Sequence, residues 1–335
     1  MGATATRRLR SVPALFVAAF ALALLSPLWL PVAAVADLVR GRPRLPTVRL
    51  LAFGLAWSWL ESAGVMVAAW LWATRRAHDH SAQYALQRWW AARLIGALGA
   101  TTGIRVEHTD TDAMRPGPVV VFCRHASLAD SLLSAWVITT VARMQPRYVL
   151  KRELLLDPCL DIVGNRLPNH FLDREAPDSS VELQSLTILA ADMGPDDAAI
   201  IFPEGTRANP AKRGRALDRI RERDPQRADR LGPMLHLLPP RPAGSAALLR
   251  GNPAADVVLA WHVGFDGLDT FGGILRHLAR PPKPVRFHTR RVERGTIPDL
   301  DAEQGEAFTR WLDDAWLSVD AEVHRLLPDP QRGSR

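Results

Sequence analysis

A histidine and an aspartate stand five residues apart in Arg124-His125-Ala126-Ser127-Leu128-Ala129-Asp130. Together they could form a general base and the carboxylate that orients it. Asp130 would accept a hydrogen bond from one ring nitrogen of His125 and leave the other to take a proton from a hydroxyl. On one straight helix, five residues would set the two side chains about 140° apart. They can meet only where His125 belongs to a strand end or loop and Asp130 to the first helical turn. The apolar run Pro118-Val119-Val120-Val121-Phe122 reads as that strand, and Ser131 to Arg143 reads as the helix. A lone His-x4-Asp is more often a helix cap beside an unrelated histidine, so the spacing needs support from elsewhere.

Support comes from Phe202-Pro203-Glu204-Gly205-Thr206-Arg207, which follows another apolar run, Ala198 to Phe202. Pro203 stops the ladder and Gly205 permits a tight turn. Arg207 offers a planar fork for a phosphate. Glu204 cannot bind an anion and is expected to fix the loop or Arg207 by hydrogen bonding. Arg174 closes Phe171-Leu172-Asp173-Arg174 in the same way, and Lys151 follows a third short strand. These cations would converge if their strands were neighbours in one sheet; singly, each would be a solvated surface charge.

The elements that must position these residues alternate after Gly103. Strands are expected over Ile104–His108, Val119–Phe122, Arg147–Leu150, Asn169–Leu172, Ala198–Phe202, Leu235–Leu238, Asp256–Val263 and Pro284–Val292. Helical patterns fall over 131–143, 181–193, 215–223 (ended by Pro225), 243–250, 271–279 and 302–327, the last with Trp311, Ala315, Leu317 and Val323 as its apolar positions. That alternation marks an α/β domain, and the run from Asp256 to Val263 suits a sheet covered on both faces. The last residues, 328–335, read as a disordered tail.

The N-terminal region has another character. Ser11 to Ala36 carries no charge, and Leu50 to Ala73 is interrupted only by Glu61. Each is long enough to cross a bilayer as a helix. Ala34-Val35-Ala36 resembles a signal-peptide cleavage site, but the apolar core is long for one and a second segment follows at once. Glu61 is costly in lipid unless it is protonated, paired or turned to protein. Two spans, or a hairpin dipping into one leaflet, suit the arginines at both ends equally. Two spans would leave the N-terminus and the main domain on one side, most simply the cytoplasm. Leu86, Trp90, Leu94 and Leu98 repeat every four positions in Ser81–Ala100, which suits either an interfacial helix or a core-facing one.

The chain of 335 residues has a net charge of +7, which favours anionic partners. No nucleic-acid-binding module is present. Cys123 and Cys159 form no CxxC pair, and no Cys/His cluster has zinc spacing, so neither a disulfide framework nor a metal is expected. Cys123 reads as a small buried apolar side chain. Arg215, Arg219 and Arg223 share one helical face, and could meet anionic headgroups or the phosphates of CoA; balanced by Asp218, Glu222 and Asp224, they could equally be a solvated face.

His125-Ala126-Ser127-Leu128-Ala129-Asp130 resembles the first motif of the 1-acylglycerol-3-phosphate acyltransferase (PlsC-like) family. Phe202 to Arg207 is similar to that family's Phe-Pro-Glu-Gly-Thr-Arg motif at every position. Phe171 to Arg174 resembles the second motif, with Pro168 where a glycine is usual. His236-Leu237-Leu238-Pro239-Pro240-Arg241-Pro242-Ala243-Gly244 is similar to the fourth motif in its Pro-Arg version. Arg124 stands where asparagine is common. The resemblance covers roughly Tyr84 to Val263.

It implies an α/β fold with a mixed, largely covered central sheet of the glycerolipid acyltransferase type, preceded by an N-terminal helical membrane hairpin. The expected division is 1–80 for the anchor, 81–327 for the catalytic domain and 328–335 for the tail. The implied reaction moves a fatty acyl group from acyl-CoA or acyl-carrier protein to the hydroxyl of lysophosphatidic acid. Another lysophospholipid or glycerol 3-phosphate is an alternative acceptor, and a membrane-anchored lipid hydrolase an alternative class. His125 and Asp130 would be catalytic. Lys151, Phe171, Arg174, Glu204, Gly205, Thr206, Arg207, Pro240 and Arg241 would bind substrate. No cofactor is implied. The partners would be the two substrates and a phospholipid bilayer, with no nucleic acid. The implied location is the cell inner membrane, with the catalytic domain facing the cytoplasm.

Overall fold

The computed structural model describes residues 3–173, 179–301 and 305–327. Arg174 and the tail expected over 328–335 lie outside the described residues. The strands are β1 (Val106–His108), β2 (Val119–Cys123), β3 (Gln145–Lys151), β4 (His170–Leu172), β5 (Asp197–Ile201), β6 (Asp256–Val263) and β7 (Val285–Val292). The helices are α1 (Ala3–Leu24), α2 (Ser26–Val39), α3 (Pro46–Ala73), α4 (His80–Thr102), α5 (Asp130–Trp136), α6 (Pro158–Gly164), α7 (Ser179–Ala191), α8 (Pro210–Arg221), α9 (Pro225–Leu231), α10 (Pro242–Gly251), α11 (Phe271–Leu278) and α12 (Glu306–Leu326). The fold is mixed α/β with largely parallel strand pairing, and the chain divides into two compact units.

One unit comprises Met1–Arg105, Leu132–Ala176 and Phe271–Lys283, so residues 1–80 all fall within it. The uncharged stretch expected as one helix is broken into α1 and α2, bent by 68°. Pro27 lacks the N–H that would continue the ladder, and the carbonyl of Ala23 is taken instead by the Ser26 hydroxyl at 2.7 Å. At the next turn the buried Asp37 accepts from Thr47 N and Thr47 Oγ1, both at 2.7 Å, and sets the start of α3. Among the described residues α3 is one helix long and apolar enough to cross a bilayer, and α1 with α2 meets the same test as a bent pair. Glu61 is turned to protein: its Oε1 accepts from Trp57 Nε1 at 2.8 Å and from Trp90 Nε1 at 2.9 Å. Large apolar side chains stay exposed along α1–α3, among them Phe20, Leu28, Val32, Trp70 and Trp72.

Within the same unit Arg7 and Arg8 both reach the buried carboxylate of Asp161 on α6, at 2.7 and 2.9 Å. Val65, Ala68 and Leu71 of α3 pack with Cys159, Val163 and Leu167. Asp79 caps α4 through Ala82 N, and Gly103 ends it with φ of +70°. Leu86, Leu94 and Leu98 are buried, so that face of α4 looks into protein. The helix α6, with Asp157 as its cap, was not foreseen. Here β3 pairs in parallel with β4, Lys151 opposite Leu172.

The other unit comprises Val106–Ser131, Pro177–Thr270 and Pro284–Arg335. Its strands run in the order β1-β7-β6-β2-β5. β2 lies between β5 and β6, parallel to both, and β6 pairs antiparallel with β7. Every residue of β2 is buried, as its Val-Val-Val-Phe-Cys composition dictates. Phe122 is level with Ile201 on one side and Leu259 on the other. Three residues further on, that register sets His125 between Glu204 and His262.

Three expectations are corrected in this unit. Leu235–Leu238 is not a strand. The amides of Leu235, His236 and Leu237 donate to Asp320 of α12 at 2.7–2.9 Å, so a carboxylate takes the place of a ladder. Pro225 does not simply end a helix: α8 runs from Pro210, capped by Asn209, and Pro225 opens α9 with Asp224 as its cap. The apolar face of α12 is Phe308, Leu312, Trp316, Val319 and Val323; of the four positions expected, only Val323 is buried.

Candidate active site

The strand-to-helix corner after β2 brings the two expected residues together. His125 Nδ1 lies 2.9 Å from Asp130 Oδ2. The same oxygen accepts from Ala126 N at 2.6 Å and Ser127 N at 2.8 Å, which makes Asp130 both the first residue of α5 and the anchor of the loop before it. Its other oxygen accepts from the Ser127 hydroxyl. His262 Nε2 stands 2.9 Å from that oxygen as well. Asp130 is therefore shared by two imidazoles. Burial alone would raise its pKa, but the neighbouring His262 and the hydrogen bond with His125 pull it well below the usual carboxylate range.

His125 keeps its Nε2 without a hydrogen bond among the described residues, and its side chain is 15% exposed. Phe202 packs on its ring, with centroids 4.8 Å apart. Neither Cys123 nor Ser127 is a free nucleophile. Ser127 is buried and donates to Asp130; Cys123 is buried, and desolvation, helped by the charge of Asp130, pushes its thiol far up.

The loop after β5 is tied to this corner through its backbone. Glu204, 2% exposed, accepts from His125 N at 2.7 Å with one oxygen and from Leu238 N at 2.9 Å with the other. It is a brace between two loops. Burial pushes its pKa up to about 8, partly opposed by those two amides. Ala208 N donates to the carbonyl of His125 at 2.7 Å, which holds Arg207 one residue from the histidine's backbone. Gly205 sits at φ of +70°, and an added Cβ would meet the Arg241 guanidinium at 3.3 Å. Arg241 N donates to Pro203 O at 2.9 Å, and Thr206 Oγ1 accepts from Lys212 Nζ at 3.2 Å. Pro240 O accepts from Arg227 Nη2 at 2.9 Å, and Arg227 is held in turn by the buried Asp313 of α12.

His125, Asp130, Glu204, Gly205, Thr206, Arg207, Pro240 and Arg241 thus gather in one unit. Lys151 and Phe171 belong to the other. There Lys151 ends β3, and the Phe171 ring lies on Gly164, where a Cβ would stand 3.0 Å from it. Arg174 lies outside the described residues. Sequence reasoning missed His262, Arg124, Asp313 and Asp320. Arg124 is buried, pairs with Asp266 at 2.6 Å and donates to the carbonyl of His262, so it ties the end of β6 to the His125 loop. A histidine inside an apolar strand was the one signal that could have pointed to His262. Among the described residues no group of His, Cys, Asp and Glu could hold a metal ion.

Residues 105–228 match the family model described as Acyltransferase. The segment that carries the His125–Asp130 corner is thus of the acyltransferase type. The chain is also similar to the crystal structure of the 1-acyl-sn-glycerophosphate (LPA) acyltransferase PlsC from Thermotoga maritima. The identity is 15% and the TM-score 0.48, over 81% of this chain and 97% of that one. The matched segment contains the His125–Asp130 corner, the Glu204 brace, Arg207 and α8; His262, Arg241 and the carboxylates of α12 lie beyond it.

Proposed function

We propose that this acyltransferase moves a fatty acyl group from a thioester donor to the free hydroxyl of lysophosphatidic acid, giving phosphatidic acid. The observation that carries the reading is His125, oriented by a carboxylate at 2.9 Å and open at Nε2, with Ser127 and Cys123 beside it both engaged or buried among the described residues. The nucleophile is then the substrate's own alcohol. His125 Nε2 takes the hydroxyl proton as the oxygen attacks the thioester carbonyl, and the ionised Asp130 stabilises the imidazolium that forms. The tetrahedral intermediate expels the thiolate, which recovers the proton from His125. His262 holds the second oxygen of Asp130 and so fixes the plane of the carboxylate. Arg207 binds the acceptor's phosphate, placed one residue from the strand-like contact of Ala208 with His125.

Both substrates have lipid tails, and the protein meets them at a bilayer. The exposed apolar side chains along α1–α3 support that placement. Arg7 and Arg8 hold the start of α1 against α6, and Val65 to Leu71 hold the later part of α3 against the same helix. In this reading the catalytic unit works at the cytoplasmic face of the inner membrane.

The test is a panel of lysophospholipids and glycerol 3-phosphate with labelled acyl donors. Lysophosphatidic acid should be the preferred acceptor, and His125→Ala should lower turnover by about a thousandfold or more. Arg207→Ala should raise the KM for the acceptor by at least about tenfold and leave that for the donor near wild type. Normal turnover in His125→Ala would refute the mechanism.

A further inference from the structure

A cavity of about 230 Å³ opens beside α8, and its walls are cationic. Lys212, Arg215 and Arg219 line it from α8, and Arg241 lines it from the Pro-Arg loop. Its floor includes Leu238 and Pro239, both buried. The three residues of α8 fall at i, i+3 and i+7, the positions that ordinarily carry an apolar stripe. Here that stripe is charged, and α8 buries no side chain at all.

Among the described residues none of the four cations pairs with a carboxylate. Lys212 Nζ donates to two uncharged oxygens, Thr206 Oγ1 at 3.2 Å and Arg207 O at 3.1 Å, and Arg215 Nε to Ala211 O at 3.3 Å. Nearby guanidinium groups are treated differently: Arg221 pairs with Asp218, and Arg227 and Arg230 share Asp313. Glu204 also lines the cavity, but both its oxygens are spent on backbone amides, and burial favours its neutral form. Like charges four residues apart on a helix repel, so Arg215 and Arg219 weaken α8 unless an anion lies between them.

We propose that this cavity binds the phosphates of a coenzyme A thioester donor, its 3′-phosphate and diphosphate, through Lys212, Arg215, Arg219 and Arg241. The inference rests on the acyltransferase reading above and names its donor class. Charge decides between the two substrates. A phosphomonoester such as the acceptor's carries about −2, whereas the three phosphates of coenzyme A carry about −4 and match four cations. Arg207, assigned to the acceptor, is not among the lining residues. A carrier-protein donor offers one phosphodiester of about −1, a poor match. Glu204 lines the cavity and also holds the amide of His125, so the nucleotide's seat is one side chain from the catalytic loop. The flexible pantetheine arm then covers the remaining distance to the reacting carbonyl.

The test uses the full chain in detergent. Adenosine 3′,5′-bisphosphate is titrated by calorimetry without turnover, with inorganic phosphate as the comparison. Wild type should bind the bisphosphate, and bind inorganic phosphate far more weakly. The double variant Arg215→Gln/Arg219→Gln, and separately Arg241→Gln, should weaken bisphosphate binding by about tenfold or more. Arg221→Gln, on the same helix but paired with Asp218, should leave it unchanged. Glutamine keeps helix propensity, and thermal unfolding checks the fold. In turnover the double variant should raise the KM for acyl-CoA by a similar factor, leaving kcat and the acceptor KM near wild type. Absence of bisphosphate binding, equal affinity in the variants, or a shift in the acceptor KM instead overturns the site. Arginine-dependent binding in a protein that transfers no acyl group upholds the site and refutes the function; normal acyl-CoA turnover in the variants does the reverse.

Discussion

Asp130 and Glu204 are two buried carboxylates in the loops after neighbouring parallel strands, β2 and β5, and both hold the backbone around His125. Their surroundings drive them in opposite directions. Asp130 faces two imidazoles as well as amides and a hydroxyl, and stays ionised far below the ordinary range. Burial pushes Glu204 up to about 8: its two amides and the charge of Arg124 pull the other way without offsetting it, and the charge of Asp130 adds to the push. The difference shows what a buried carboxylate needs in order to do chemistry. Amides can shape a loop with either one, but only imidazoles in direct contact with the carboxylate outweigh its burial and keep a charge available to stabilise an imidazolium.

The sharpest way to break this contrast is Asp130→Asn. It keeps the shape of the corner and removes the charge, and kcat should fall by about a thousandfold. Its stability profile should change as well. Because the folded-state pKa of Asp130 is depressed, its contribution is present above the ordinary carboxylate range and is lost as pH falls below about 4. Thermal unfolding of wild type should show that acid loss, and the variant should show less of it. Next in size is His262→Gln. If His262 only fills space, kcat and its pH profile should stay as in wild type. If it holds Asp130, kcat should drop by about tenfold and the acid limb of the profile should move, with KM values little changed. The smallest effect on turnover should come from Glu204→Gln. The raised pKa of Glu204 means that the wild-type fold loses stability as pH rises from about 4.5 towards 8, and the variant should flatten that slope. A steep slope in the variant would show that Glu204 is not its source.

The central dyad was legible because its residues are close in sequence and the strand and helix flanking it have strong local patterns. The Phe-Pro-Glu-Gly-Thr-Arg loop was legible for the same reason: the turn demanded by Gly205 and the stop made by Pro203 are local. The α/β alternation likewise follows from short apolar runs such as Val119–Phe122. What stayed hidden depends on partners far along the chain. His262 lies 132 residues after Asp130, inside a strand whose apolar pattern hides its polar contact. Leu235–Leu238 looked like a strand because its side chains are apolar, but Asp320, some 83 to 85 residues away, takes the amides that a strand would pair. Asp313 and Asp320 themselves interrupt the apolar periodicity of α12, which is why the buried face of that helix was misplaced. Arg124 occupies a position where its identity predicts exposure; only the carbonyl of His262 and the carboxylate of Asp266 explain its burial.

Asp320 also gives synthesis of the protein an order. The chain emerges from the ribosome N-terminus first, so α1–α3 and the strands up to β5 are made while the loop from Leu235 to Arg241 still lacks the helix that shapes it. The loop from Leu235 to Arg241 is therefore shaped last, after the rest of its surroundings have been made. Limited proteolysis of nascent chains should find the 235–241 loop protected only once α12 has been released, and Asp320→Asn should keep that loop cleavable in the finished protein.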